Sequence, residues 1–92
     1  MIIRSQSKKM LINLDNISHI RIIENKNNLF EIFVYAYNSQ WIGDYSTKEK
    51  AIKVLDMIQE EYLKPIYQNF IDENEVAIYK NKVFQMPQDS EV

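Results

Sequence analysis

The chain has no cysteine, one glycine, two prolines and one histidine among its 92 residues. Without cysteine there is no disulfide, no thiolate metal site, no redox motif and no cysteine nucleophile. A single glycine, Gly43, cannot build a glycine-rich phosphate loop. Metal binding is left to carboxylates, and the densest acidic run, Asp72-Glu73-Asn74-Glu75, lacks the spacing and central glycine of a calcium loop. No apolar run approaches the roughly 20 residues of a membrane-spanning helix. Residues Met1 to Gln6 contain no apolar stretch of signal-peptide length, so the expected setting is the cytoplasm.

His19 falls on the polar face of its strand with Arg21 and next to Ser18. A catalytic base needs a nucleophile and an orienting group, and no set of residues here supplies them. The expectation is a protein that is not an enzyme, with no catalytic, metal or cofactor-binding residue.

The residues present suffice for a core: 46% of them are hydrophobic. One α+β domain over residues 1–87 is expected, with Gln88 to Val92 as a frayed tail. Charge is uneven. Residues 1–53 carry +3 and residues 54–92 carry −5, an asymmetry that can guide association.

Short β-prone runs occur at Met1–Arg4 and Met10–Leu14, then Asp15-Asn16 signals a turn. Ile17 to Ile23 alternates, with His19 and Arg21 opposite Ile20 and Ile22. A polar hairpin loop, Glu24 to Asn28, leads into the most informative stretch, Leu29 to Tyr37. Phe30, Ile32, Val34 and Ala36 share one face of that strand; Leu29, Phe33, Tyr35 and Tyr37 share the other, with Glu31 its only charge. A strand bordering solvent should be polar on one side. A turn at Asn38-Ser39-Gln40 precedes the strand Trp41–Tyr45, where Trp41, Gly43 and Tyr45 are expected on one face.

Ser46 and Glu49 have the spacing of a helix capping box. Ala51, Val54, Leu55, Ile58 and Tyr62 then recur at helical period, and Pro65 should end the helix at Lys64. Ile66 to Asn74 reads as a loop or short helical turn. Val76–Tyr79 and Lys82–Met86 read as strands joined at Lys80-Asn81. The fold expected is an antiparallel meander of about five strands packed by one amphipathic helix, then a C-terminal strand or hairpin. It is compatible with a pleckstrin-homology-like half barrel.

Two surfaces carry functional expectations. Phe33, Tyr35, Tyr37, Trp41 and Tyr45 lie on neighbouring strands and form a candidate protein interface, since aromatic residues are enriched where proteins meet. Lys48, Lys50 and Lys53 crowd the helix start, where the dipole disfavours cations, and form a candidate anion or nucleic-acid contact. An acidic chain lacks the usual footprint of a nucleic-acid binder. The leading expectation is therefore a protein-interaction module, binding itself as a homodimer or larger assembly, or another protein. The alternative is an anion- or nucleic-acid-binding accessory protein.

The segment Gly43-Asp44-Tyr45-Ser46-Thr47-Lys48-Glu49-Lys50-Ala51, with Val54-Leu55-Asp56 and Ile58-Gln59, resembles short uncharacterised proteins of low-GC Gram-positive bacteria and their phages or mobile elements. The opening Met1–Lys8 and the ending Val83-Phe84-Gln85-Met86-Pro87 share the resemblance, and roughly Lys64 to Lys82 does not. It implies a bacterial or phage cytoplasmic setting and no activity, so no residue role is carried over.

Overall fold

The computed structural model describes residues 1–64 and 82–92, which form an α+β fold. Its elements are β1 (Ile2–Arg4), β2 (Leu11–Asn13), β3 (His19–Glu24), β4 (Phe30–Tyr35), β5 (Ser39–Tyr45), α1 (Lys48–Leu63) and β6 (Val83–Gln85). The strands make two open three-stranded sheets, ordered β2-β1-β6 and β3-β4-β5. The expected readings of Ile66–Asn74, Val76–Tyr79 and the acidic run 72–75 lie outside the described residues.

One meander was expected, and local chemistry shows why there are two sheets. Asn13 Oδ1 accepts the Asp15 N–H at 3.1 Å, closing a 3-10 turn over Leu14–Asn16. That turn redirects the chain, so β3 pairs with β4 and not with β2. The β1–β2 hairpin instead gains β6, which runs parallel to β1 with Ile3 beside Phe84.

The β3–β4 loop is built by asparagines. Asn25 Oδ1 accepts the N–H groups of Asn27 and Leu29, and Asn28 takes the left-handed conformation at φ 60°. Asparagine tolerates that region better than most residues. Between β4 and β5 a bulge intervenes: Ile32 pairs with Gly43 but Phe33 with Trp41, leaving Ile42 as the extra residue. Side-chain direction changes there. Trp41 shares the outer face with Phe33, whereas Gly43 and Tyr45 line the core, so the three do not lie on one face as alternation suggested.

Helix α1 starts one residue later than the capping-box spacing implied. Thr47 is the N-cap, its hydroxyl accepting the Lys50 N–H at 3.1 Å. Ser46 is bonded instead to the carboxylate of Asp89. The helix ends at Leu63, and Lys64 is extended (φ −66°, ψ 124°), as a residue preceding proline should be. Lys82 Nζ donates to the carbonyls of Lys64 (2.6 Å) and Glu61 (3.1 Å), placing a cation at the negative end of the helix.

Ala51, Val54 and Ile58 pack the helix onto Ile32, Val34, Ile42 and Tyr45, and Ile3, Ile12 and Met86 from the other sheet complete the core. Tyr62 and Leu63, on the last helical turn, are exposed. Residues 88–92 are not frayed: Asp89–Glu91 form a 3-10 turn, and Val92 packs against the core. Pro87 and Asp89, together with Gln88, supply polar groups that anchor this segment to β5, to the helix start and to Gln6.

Candidate interaction surface

The register of β3-β4-β5 decides which residues share the sheet's outer face. Ile20 and Ile22 stand beside Val34 and Ile32, which are buried, so even positions of β3 and β4 look into the core. Odd positions look out. Arg21, Phe33 and Trp41 form one cross-strand row; His19, Tyr35 and Ser39 form the next; Ile23, Glu31 and Asp44 form the third. Phe33, Tyr35 and Trp41 are each half-buried. The imidazole of His19 lies flat on Tyr35, centroids 4.4 Å apart and planes 6° from parallel. The Ser18 hydroxyl donates to the Tyr35 carbonyl at 2.8 Å and contacts His19 Nδ1 at 3.0 Å, which fixes the imidazole against the tyrosine.

Three of the five aromatic residues singled out in the sequence thus meet on one face. The other two do not. Tyr45 is fully buried, its hydroxyl donating to the Pro87 carbonyl at 2.8 Å. Burial, with the nearby carboxylates of Asp44, Asp89 and Glu91, pushes its phenol well above the ordinary range. Tyr37 lies beyond the end of β4, in a turn closed by the Ala36 N–H and the Asn38 carbonyl, and is wholly exposed. His19 and Arg21 join the face without being singled out by the sequence. Their alternation against Ile20 and Ile22 is visible there, but only the register shows which row of β4 they meet.

The acidic end of the same face is strained electrostatically. Asp44 has its carboxyl raised above the ordinary value by burial first, then by Glu31 directly across the strand and by Asp89. Asn25 Nδ2 donates to the Glu31 carboxylate at 2.6 Å, which favours its charged form.

The lysines of the helix start are not gathered into one site. At about 100° per residue, Lys48 lies on roughly the opposite side of the helix from Lys50 and Lys53, which are neighbours at i and i+3. Lys50 is already engaged: its Nζ donates to the Asp89 carbonyl at 3.0 Å and lies 3.4 Å from the Asp89 carboxylate. Asp89 Oδ1 also accepts the Ser46 N–H (2.8 Å) and hydroxyl (3.0 Å). These bonds, with Lys50, lower the Asp89 carboxyl below its ordinary value. The anion at this helix N-terminus is the chain's own side chain.

Between the sheets opens a pocket of about 260 Å³, with Ile12, Ile17 and Val34 among its apolar lining and Asn16, Asn38 and Gln40 among its carboxamides. Among the described residues, no three His, Asp or Glu side chains are close enough to hold a metal ion, and no helix is long and apolar enough to cross a membrane.

No protein-family model, curated protein or solved structure matches the chain.

Proposed function

We propose that this chain is a non-catalytic protein-interaction module whose contact surface is the outer face of the β3-β4-β5 sheet, used for self-association or for a protein partner. The observation that carries this reading is the row Arg21, Phe33 and Trp41 beside the stacked pair His19 and Tyr35. Helix α1 packs on the opposite side of the sheet, so Phe33, Tyr35 and Trp41 remain only half-buried and His19 is exposed. Aromatic and arginine side chains contribute disproportionately to protein interfaces, because they bury large area at small entropic cost. Binding at the lysine-rich helix start has less support, because Lys50 is committed to Asp89.

Trp41 is the only tryptophan, so its fluorescence reports on this face alone. Light scattering across a concentration series should give a molar mass rising above the 11.0 kDa monomer, with Trp41 emission shifting to shorter wavelength in step. Phe33→Glu should reverse both changes. A mass of one chain throughout, with unshifted emission, refutes self-association through this face and leaves a different protein as its partner.

A further inference from the structure

We infer that a second copy of this chain pairs with β3 edge to edge, antiparallel about Ile22, turning two three-stranded sheets into one of six strands. This goes beyond the proposed function and stands or falls independently of it. It uses the sheet's edge, whereas the proposed function uses its face.

The two edges of the β3-β4-β5 sheet differ. At β5 the chain covers its own edge: the Gln6 N–H donates to the Ile42 carbonyl at 2.8 Å, and Gln6 Oε1 accepts the Asp44 N–H at 3.0 Å. At β3, among the described residues, no strand lies alongside. The Asn25 N–H donates to the Leu29 carbonyl at 2.9 Å, which makes Asn25 and Leu29 a hydrogen-bonded pair. Antiparallel pairs alternate, so Arg21 and Ile23 point their backbone groups at β4. Ile20, Ile22 and Glu24 point theirs at the open edge.

Natural edges are blunted by proline, charged side chains (lysine above all), bulges or short length. β3 has six residues, His-Ile-Arg-Ile-Ile-Glu, with two charges, Arg21 and Glu24, but no proline or lysine, and its register with β4 runs unbroken. Ile23 remains 40% exposed. Such an edge is a template for another strand, and the strand it matches is itself.

The register follows from faces and charge. A two-fold axis normal to the sheet keeps each face on its own side, so every residue must meet one of the same face. Near-complete overlap of β3 then leaves two centres. Centring on Arg21 sets two guanidinium groups directly opposite, which is unfavourable. Centring on Ile22 sets Ile22 against its copy, Arg21 against the partner's Ile23, and Ile20 against the partner's Glu24. The inner side of the edge has room for this. Ile22, Glu24, Phe30 and Lys48 line a second pocket of about 230 Å³, and the partner's inward-facing isoleucines enter there. The join also leaves both aromatic faces on the same side of the larger sheet.

The absence of cysteine provides a clean test. In this register Ile22→Cys meets its copy with Cα atoms about 5.5 Å apart, within disulfide reach. Ile20→Cys stands four residues out of register with its copy, roughly 13 Å away along the strand, and serves as the control. Mild oxidation should give at least roughly tenfold more covalent dimer from Ile22→Cys than from Ile20→Cys. Equal yields, or none, overturn the inference. Ile22→Pro removes an N–H that faces the open edge, so it should leave a folded monomer under conditions where the parent is dimeric. If that variant fails to fold by circular dichroism, the cysteine comparison decides. A folded Ile22→Pro dimer overturns the inference, as does a parent that is monomeric throughout. Trp41 separates the two readings. Edge pairing, two strands away, leaves its emission unchanged, whereas a dimer that shifts it and yields to Phe33→Glu but not to Ile22→Pro uses the face.

Discussion

The phenol of Tyr45 donates to the Pro87 carbonyl at 2.8 Å, joining the end of β5 to a segment 42 residues further along the chain. The same carbonyl accepts a second bond, from Gln6 Nε2 at 3.2 Å. Gln6 thereby becomes the polar junction of the molecule: it also donates to the Asp44 carbonyl and accepts from the Asp44 N–H, each at 3.0 Å, and its own carbonyl accepts from Gln88 at 2.8 Å. Two sheets and the C-terminal turn meet at this one residue.

Because Tyr45 and Gln6 share an acceptor, their truncations should not add. Tyr45→Phe alone leaves Pro87 bonded to Gln6 and should cost about 1 kcal/mol of unfolding free energy. Gln6→Leu removes three side-chain bonds and should cost roughly 2–3 kcal/mol. The double variant orphans a buried carbonyl, so its cost should exceed the sum by at least about 0.5 kcal/mol in urea titrations.

The Asp89 carboxyl is lowered from its ordinary value of 3.8, mainly by the Ser46 N–H, then by the Ser46 hydroxyl and Lys50. A depressed folded value means the stabilisation is fully present above the ordinary value and is lost as pH falls through the folded one. Asp89→Ala should therefore lower the melting temperature at neutral pH and have no effect once the pH is below the folded value. Hydrogen-exchange protection of the Ser46 amide should follow the same acid limb.

Asp44 behaves in the opposite sense. Its folded value is raised by burial and by Glu31 across the strand, so its charged form is a burden that disappears as pH falls through that value. Asp44→Asn should stabilise the protein at neutral pH by roughly 0.2–1 kcal/mol, with the gain vanishing in acid. Thermal melts of the pair across pH 3 to 7 would test this, the approximate range over which carboxylates titrate. A constant difference would show that repulsion is not the cause.

Lys8 sits at φ 66° in the β1–β2 link, where a side chain is strained and glycine is not. Lys8→Gly should be neutral to stabilising by up to about 1 kcal/mol, while Lys8→Val should destabilise by more than about 1 kcal/mol. Calorimetric melting temperatures of the two variants should move apart.

The helix was legible to within a residue or two at each end, because the period of Ala51, Val54 and Ile58 and the stop before Pro65 are local signals. Its cap was misplaced by one residue. Ser46 and Thr47 are chemically alike, and only Asp89, distant in sequence, decides that Ser46 is taken. The aromatic face was legible in part: alternation put Phe33 and Tyr35 together, but the bulge at Ile42 sends Trp41 outward and Tyr45 inward. No signal in the polar link Ser5–Lys9 marks Gln6, whose importance lies entirely in partners far along the chain.

By itself the sequence determined the features that local periodicity and composition encode. Those are the α+β class, the approximate positions of the strands from residue 2 to 45 (though Ser39 and Gln40, expected in a turn, lie in β5, and β4 stops at Tyr35), the amphipathic helix, and the exclusion of thiol and phosphate-loop chemistry. Tertiary structure decided everything that depends on which strand finds which. It divided the strands into two sheets, set β6 parallel to β1, docked residues 88–92 onto the helix start, closed one sheet edge with Gln6 and left the outer edge of β3 without a neighbouring strand among the described residues. Alternation dictates which side chains share a face of a strand, but pairing partners are chosen by global burial and by satisfaction of backbone groups, which no local pattern encodes.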